Sequence, residues 1–256
     1  MAKLEVHQFP CLNDNYGYLL HDSESGLTAA IDTPEIAPIE AALAAKNWKL
    51  THIFNTHHHA DHSGGNLALK EKWQCTIIGS APDADRIPGI DIRVADGDEF
   101  NFGNHRVRVF DVSGHTIGHI AFYCPDDDIL FSGDALFSLG CGRLFEGTPA
   151  QMWTSLQKLM DLPDDTLVYC AHEYTQANAR FALSVEPDNA DLQARAAEID
   201  RLRAEGKPTV PSSLGLEKAT NPFLRPASPA LQRTIDMEGR DLTEVFAETR
   251  SRKDTF

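Results

Sequence analysis

The chain has 256 residues, of which 42% are hydrophobic and 24% are charged, and its formal net charge is −15. This length can bury a core as one large domain or as one domain with a smaller one. The acidic excess disfavours nucleic acid as a partner, because it repels the phosphate backbone. There is no run of about 18 apolar residues and no long apolar stretch at the start, so we expect a cytoplasmic protein that does not contact a membrane.

Short runs rich in Val, Ile, Phe and Tyr alternate with turns through residue 172, which predicts strands. Among them, TPEIAPIEAALAAKN predicts a helix with Thr33 as N-cap and a proline at the first helical position. GGNLALKEKW predicts a second helix. TPAQMWTSLQKLMDL predicts a third, in which Thr148 and Gln151 form a capping box. This alternation predicts an α/β fold.

The composition changes after His172. Residues 189–207 (NADLQARAAEIDRLRAEGK) predict a charged helix, and residues 209–229, with four prolines, predict a loop. Residues 230–253 predict two helical pieces separated near Gly239. We therefore expect an α/β domain over 1–172 and a small α-helical domain over 173–256. Five scattered cysteines, odd in number and without a Cys-x-x-Cys pair, predict reduced thiols rather than disulfides.

The stretch NTHHHADHSGG concentrates four histidines and one aspartate in positions 57–62. In an extended segment that leaves a strand, His57 and His59 face the same way and can converge on one point, whereas His58 faces the other side. Asp61 and His62 follow near the start of the next helix. Such nitrogen and oxygen donors suit zinc, iron or manganese. The alternatives are a polar surface loop and a structural zinc site, but a structural site usually has cysteine ligands and none lies nearby.

Three more polar residues stand where apolar runs end: His115 in VSGHTIGH, Asp134 in ILFSGD and His172 in LVYCAH. Sheets in α/β proteins carry functional groups on loops held by strands. We therefore expect these residues to complete a metal site. His119 begins the run HIAFY, and a hydrogen-bonded position in the core is its plainer interpretation.

THHHADHSGG, GHTIGH, FSGD and AHEYT resemble the motifs of the metallo-β-lactamase superfamily. GCGRLFEGT, HEYTQAN and NPFLR are similar to its glyoxalase II (hydroxyacylglutathione hydrolase) branch, and the resemblance covers nearly the whole chain. It implies an αββα sandwich with a small C-terminal α-helical domain that binds glutathione. It also implies two divalent metal ions per chain, with zinc favoured over iron and manganese.

The resemblance implies this distribution of ligands: His57, His59 and His115 on one metal, Asp61, His62 and His172 on the other, and Asp134 bridging the two. A carboxylate suits the bridging position because it has two oxygens and a negative charge. Asp32 has two interpretations that stay open. It orients a ligand histidine, or it is a turn residue or helix cap.

The activity implied by the resemblance is hydrolysis of S-D-lactoylglutathione to D-lactate and glutathione, the second step of methylglyoxal detoxification. A metal-bound hydroxide would attack the thioester carbonyl, and a metal would stabilise the oxyanion. Asp61 and Asp134 would be the residues nearest this chemistry. We expect a small-molecule thioester as the only partner of a monomeric protein.

Glutathione is anionic, so an acidic chain must supply local positive charge to bind it. The resemblance implies Arg143, Arg250 and Lys253 for this role, with hydrogen bonds from Tyr174 and Asn178. For Arg250 and Lys253 the alternative is a solvated basic end of a helix, which the helix dipole favours.

Other activities on the same scaffold are a mononuclear-iron persulfide dioxygenase or a different hydrolase, and a non-catalytic metal-binding protein is a third possibility. A dioxygenase of this kind uses one iron with two histidines and a carboxylate, and it leaves positions open for oxygen. The intact second set of Asp61, His62 and His172 argues against it.

The chain departs from the glyoxalase II pattern at Leu144 and Phe145, where the family often has Phe-Tyr. Phe145 can pack against a ligand but cannot donate a hydrogen bond. We expect Phe145→Tyr to lower KM for the glutathione thioester about 2- to 10-fold, the value of one hydrogen bond. Steady-state kinetics measures this, and an unchanged KM would show that position 145 does not contact glutathione.

Overall fold

The computed structural model describes residues 2–256 of the chain. The chain divides into two compact units. The first extends to Asp111 and includes Ile117–Gly133, and the second comprises Val112–Thr116 and Asp134–Phe256. The boundary predicted after residue 172 follows the change in composition and stays a prediction. Among the described residues, no helix is both long enough and apolar enough to cross a membrane.

The first unit begins with a mixed sheet whose strands lie side by side in chain order: β1 (Glu5–Cys11), β2 (Asn15–Asp22), β3 (Leu27–Ile31), β4 (His52–Phe54), β5 (Thr76–Ser80) and β6 (Ile92–Val94). β1, β2 and β3 are antiparallel, and β3 to β6 are parallel. Parallel neighbours require crossover connections. The first two connections are helical: α1 (Ile36–Lys46) between β3 and β4, then α2 (Ala60–Ser63) and α3 (Asn66–Trp73) between β4 and β5. Turns connect β5 to β6.

Helices α1 and α3 bury apolar side chains against this sheet. Ile39 and Leu43 of α1 and Leu69 of α3 form one buried cluster with Leu19 and Ile53 of the strands. Each fully buried side chain of this kind contributes roughly 1.5–3 kcal/mol. The cluster therefore fixes β4, the strand from which the histidine-rich stretch departs.

The start of α1 differs from the prediction. α1 begins at Ile36 with Glu35 as its N-cap, so the predicted N-cap at Thr33 is wrong. The Thr33 amide instead donates to the carbonyl oxygen of His62 (2.7 Å), and its hydroxyl donates to Asn66 Oδ1 (2.8 Å). Thr33 thus joins the end of β3 to the α2–α3 region rather than capping its own helix.

The next strands of this unit are β7 (Glu99–Phe102), β8 (His105–Asp111), β9 (Ile120–Cys124) and β10 (Ile129–Gly133), each antiparallel to the one before. Phe54 at the end of β4 contacts Phe100, Phe102 and Phe122, with ring centroids 5.3 to 5.5 Å apart. These rings join β4 of the first sheet to β7 and β9 of the second. The predicted packing of strand layers is confirmed at this aromatic core.

The second unit is mostly helical, and its elements are β11 (Leu136–Phe137), β12 (Gly140–Cys141), α4 (Pro149–Met160), β13 (Leu167–Cys170), α5 (Thr175–Val185), α6 (Ala190–Ala204), β14 (Ser212–Ser213), α7 (Leu214–Thr220), α8 (Pro229–Thr234) and α9 (Leu242–Thr255). β11 and β12 form a hairpin, and β13 pairs with β14. The capping box of α4 is confirmed. Thr148 Oγ1 accepts from the Gln151 amide (3.3 Å), and Gln151 Oε1 accepts from the Thr148 amide (2.8 Å).

The helical predictions for this unit are correct at α6 and at the pair α8 and α9, which lie on either side of Gly239. The prediction of a loop over 209–229 is wrong where α7 forms. Ser213 caps α7 by accepting from the Leu216 amide (3.2 Å). The prolines on both sides of this short helix obscure its pattern in the sequence.

A buried carboxylate joins α7 to the β11–β12 hairpin. Glu217 is fully buried, pairs with Arg195, and accepts hydrogen bonds from the Leu139 amide (2.9 Å) and from Asn221 Nδ2 (3.2 Å). Leu139 is in the hairpin turn and has a φ of 58°. Since a buried charge needs such partners, this network fixes the conformation of the turn.

We expect Glu217→Ala to lower the free energy of unfolding by about 3–5 kcal/mol, because it leaves the Arg195 guanidinium buried without its counter-charge. Urea unfolding followed by circular dichroism measures the change. Glu198→Ala is the matched control, because its carboxylate forms an exposed ion pair with Arg201 on α6. Equal effects of the two substitutions would contradict a special role for the buried pair.

Candidate metal centre

The histidine-rich stretch connects β4 to α2. His57 and His59 lie on the extended connection between Phe54 and Ala60, as predicted, and Asp61 and His62 lie in the short helix α2. His57 Nε2 and His59 Nδ1 are 3.0 Å apart. The two imidazoles therefore converge on one point.

Asp32 connects the end of β3 to this stretch. Its Oδ1 accepts from the Thr56 amide (2.8 Å), and its Oδ2 accepts from the Thr56 hydroxyl and lies 2.8 Å from His62 Nδ1. A carboxylate can only accept, so the proton of His62 is on Nδ1 and its Nε2 carries a lone pair, the form in which a histidine can bind a metal. Since Glu35 occupies the N-cap position of α1 and both Asp32 oxygens are bonded to Thr56 and His62, the geometry favours the orienting role of Asp32 over the cap.

Asn15 is a residue that the sequence reasoning missed. It is buried at the start of β2, and its Nδ2 donates to Asp61 Oδ2 (3.2 Å) and to the Asp61 carbonyl oxygen (3.4 Å). The contact joins residues 46 positions apart, and the sequence contains no local signal for it.

In the second unit, Asp134 lies between two histidines. Its Oδ2 is 3.4 Å from His115 Nε2, and its Oδ1 is 3.4 Å from His172 Nε2. His115 Nδ1 donates to the Arg143 carbonyl oxygen (2.9 Å), which leaves Nε2 as the acceptor. A Cβ on Gly142 would lie 2.1 Å from the Asp134 carbonyl oxygen, so the glycine of GCGR permits this close approach.

Three groups of side chains place one ligand atom each within 4.8 Å of one another: His57, His59 and His115; His57, His62 and Asp134; and Asp61, His62 and His172. The groups share His57 and His62, so they adjoin. Among the described residues, none of these groups includes His58. Imidazole nitrogens and carboxylate oxygens are ligands that zinc, iron and manganese accept. The clusters fit a dinuclear metal site.

Two of the predicted substrate-binding residues are aromatic and exposed beside these donors. The Tyr174 ring stacks on His172 with centroids 4.7 Å apart and an interplanar angle of 2°. Phe145 is 65% exposed, and its ring meets His115 edge-on at 5.2 Å. Both rings are available to a ligand that reaches these histidines.

The remaining predicted residues divide into buried and charged positions. Asn178 is buried and donates to the Ser138 carbonyl oxygen (3.0 Å), and Arg250 is buried and donates to the Cys141 carbonyl oxygen (2.8 Å). Both therefore support the β11–β12 hairpin, and their contact with a substrate stays a prediction. The Arg143 side chain is mostly exposed, and its Nε is 3.8 Å from a carboxylate oxygen of Asp254.

Lys253 on α9 is part of a local concentration of positive charge. Its Nζ lies over the rings of Phe181 and Phe256, at 5.4 and 5.5 Å from their centroids. Burial lowers the pKa of its ammonium group, and the charges of Arg250, Arg180 and Arg143 lower it further. The second unit therefore has a local cluster of positive charge, although the chain as a whole is acidic.

Comparison with known proteins identifies the class of the chain. Residues 24–172 match the family model described as the metallo-beta-lactamase superfamily, which places the chain in that class. Residues 173–256 match the model of the hydroxyacylglutathione hydrolase C-terminus. The predicted fold class is confirmed as a metallo-β-lactamase fold with mixed α/β sheets, followed by a C-terminal helical region.

Relatives narrow the assignment. A hydroxyacylglutathione hydrolase from Rhizobium etli is 60% identical over 100% of both chains, and one from Ruegeria pomeroyi is 58% identical over 99% of each. The crystal structure of ETHE1 from Myxococcus xanthus is 27% identical, with a TM-score of 0.67 over 98% of this chain and 99% of that one. The chain belongs to the hydroxyacylglutathione hydrolase family.

Proposed function

We propose that the protein hydrolyses the thioester of S-2-hydroxyacylglutathiones, with S-D-lactoylglutathione giving D-lactate and glutathione. This reaction is the second step of methylglyoxal detoxification. The observation that carries the proposal is the full-length identity of 58–60% to relatives named hydroxyacylglutathione hydrolase. The adjoining histidine and aspartate clusters support it.

We propose a pair of zinc ions, with iron and manganese as alternatives of the same ligand chemistry. The ligands would be His57, His59 and His115 for one ion, Asp61, His62 and His172 for the other, and Asp134 for both. When bound, such a pair supplies a water of lowered pKa and a Lewis acid for the carbonyl oxygen.

The residues around the ligands fix which ring nitrogen is available. Asp32 holds the Nδ1 proton of His62, and the Arg143 carbonyl holds that of His115, so both Nε2 atoms remain acceptors. Asn15 holds Asp61 Oδ2. Asp134 directs one oxygen toward His115 and the other toward His172, so it lies between donors assigned to the two ions, which supports the bridging role.

The second unit offers the groups that a glutathione thioester needs. Arg143 and Lys253 provide positive charge for its carboxylates, and the exposed rings of Tyr174 and Phe145 provide apolar and polar contacts. The leaving group is a thiolate with a thiol pKa of about 8.5, so a strong general acid is not required. Arg250 contributes by holding the Cys141 carbonyl.

We also propose a monomer in the cytoplasm, where a reducing environment suits five buried cysteines that form no disulfide. Size-exclusion chromatography with light scattering tests the oligomeric state, and a dimer would contradict it. Cell fractionation tests the compartment.

The direct test is hydrolysis of S-D-lactoylglutathione with the metal content measured on the same sample. We expect two metal ions per chain and release of free thiol. Two bound metals without hydrolysis would refute the proposed function. One iron per chain, together with oxygen consumption when a persulfide is the substrate, would instead indicate a persulfide dioxygenase.

We expect Asp134→Ala to abolish hydrolysis and to reduce bound metal, because it removes the carboxylate between His115 and His172. Metal analysis and thioester assays measure both effects. His58→Ala is the comparison within the motif, and at saturating metal we expect it to keep two ions and most of the activity. Full metal content in Asp134→Ala would contradict the bridging role.

We expect KM for the thioester to rise at alkaline pH as Lys253 loses its proton. Because the pKa of Lys253 is lowered, its charge is present below that pKa and lost at a lower pH than for an ordinary lysine. The arginine of Lys253→Arg keeps its charge, so this variant should remove the rise. Identical pH profiles of KM in the two proteins would show that Lys253 does not bind the substrate.

A further inference from the structure

We propose that Asp83 is a positioning residue that acts through His58. Its carboxylate anchors His58 on the outer side of the histidine-rich stretch, and this keeps His57 and His59 turned toward their shared metal. The inference rests on the metal centre of the proposed function. It assigns a role to the histidine of the motif that belongs to none of the donor groups in residues 2–256.

The contacts of His58 occupy both of its ring nitrogens. Nδ1 is 3.0 Å from Asp83 Oδ2, and Nε2 is 3.3 Å from Arg86 Nη1. A guanidinium can only donate, so Nε2 accepts and Nδ1 donates to the carboxylate. His58 therefore serves as a bridge between Asp83 and Arg86, and its nitrogens are not available to a metal.

Burial and contacts with Arg86 hold the Asp83 carboxylate in place independently of His58. Its side chain is 1% exposed, whereas that of His58 is 17% exposed. The Asp83 carbonyl accepts from the Arg86 amide (2.8 Å) in a turn, and its Oδ1 accepts from Arg86 Nε (3.2 Å). A buried carboxylate that is held by its own turn is a rigid anchor.

The stretch between β4 and α2 depends on such an anchor. Residues 55–59 lie outside strand and helix, and backbone hydrogen bonds hold them at Asn55 and Thr56 (to Ile78 and Ile120) and at the His59 carbonyl. Between these points, side-chain contacts help to set how the segment is rotated. In an extended segment, neighbours point to opposite sides. Holding His58 toward Asp83 therefore holds His57 and His59 toward the other side, where their nitrogens are 3.0 Å apart.

Gly118 of the GHTIGH motif makes room for this carboxylate. A Cβ at Gly118 would lie 2.0 Å from Asp83 Cγ and within 2.5 Å of both carboxylate oxygens. Any side chain at this position would displace Asp83, so only glycine permits the contact. Two motifs of the sequence, THHHADH and GHTIGH, thus meet at the same residue.

The test is a double-mutant cycle on zinc affinity, measured by chelator competition with metal-free protein and needing no turnover. The variants are Asp83→Ala, His58→Ala and the double substitution. We expect each single variant to lower the affinity for one of the two zinc ions roughly tenfold, as for other residues that orient metal ligands. The double variant should be no weaker than either single one, because both remove the same contact.

Asp85→Ala is the matched control, because Asp85 lies on the same turn but is exposed. We expect it to bind both zinc ions as the unsubstituted protein does. Unchanged zinc affinity in Asp83→Ala would overturn the proposal. So would a loss in the double variant equal to the product of the two single losses.

Gly118→Ala gives an independent perturbation that keeps both polar partners. We expect it to lower the affinity for the same zinc ion. In the His58→Ala background it should cause no further loss of zinc affinity. If Asp83→Ala does not fold, this second cycle decides the question, and independent losses in it would refute the proposal. Two tightly bound zinc ions without thioester hydrolysis would instead refute the proposed function and leave the role of Asp83 standing.

Discussion

The buried carboxylate of Asp32 is the interaction on which the rest of the centre depends. The β3–β4 ladder ends at Ile31 and Phe54, and Asp32 follows with a left-handed φ of 58°, which aspartate tolerates better than most residues. From there its two oxygens reach Thr56 and His62. One side chain therefore holds Thr56, just after β4, and fixes which nitrogen His62 presents. Among the donors of the first unit, His62 is the one whose orientation this carboxylate holds directly.

The charge distribution shows how an acidic protein can serve an anionic substrate. The net charge of −15 describes the whole chain, but Lys253 lies close enough to three arginines for them to lower its pKa. Among these, Arg250 is buried on the Cys141 carbonyl, whereas Arg143 is largely exposed. The buried cation supports the hairpin and adds to the local potential, while the exposed one can meet a carboxylate. Position in the fold thus separates residues that the sequence presents as equivalent.

The sequence predicted what depends on local geometry. The separation of His57 and His59 from His58 follows from the two-residue period of an extended chain, and the capping box at Thr148 follows from spacing within one turn. Local sequence patterns could not predict hydrogen bonds between residues that are distant in the chain. Asn15 meets Asp61 across 46 positions and Asp83 meets His58 across 25, and neither has a local pattern. Thr33, the predicted N-cap, instead donates a hydrogen bond from its hydroxyl to Asn66, 33 positions away in the chain.

Asp61 is the least buried residue of the set Asp61, His62 and His172, so the contact that restrains it matters most. The Asp61 side chain is 38% exposed, whereas that of His62 is 1% exposed. An exposed side chain keeps more rotamer freedom than a buried one, so the position of this carboxylate depends on the contacts that restrain it. The amide of the buried Asn15 restrains Asp61 from the side of the β1–β2 hairpin. One fold can host several chemistries, and binding of a second metal would depend on the whole set of Asp61, His62 and His172. The contact from Asn15 restrains the most exposed member of this set, since the side chains of His62 and His172 are 1% and 5% exposed.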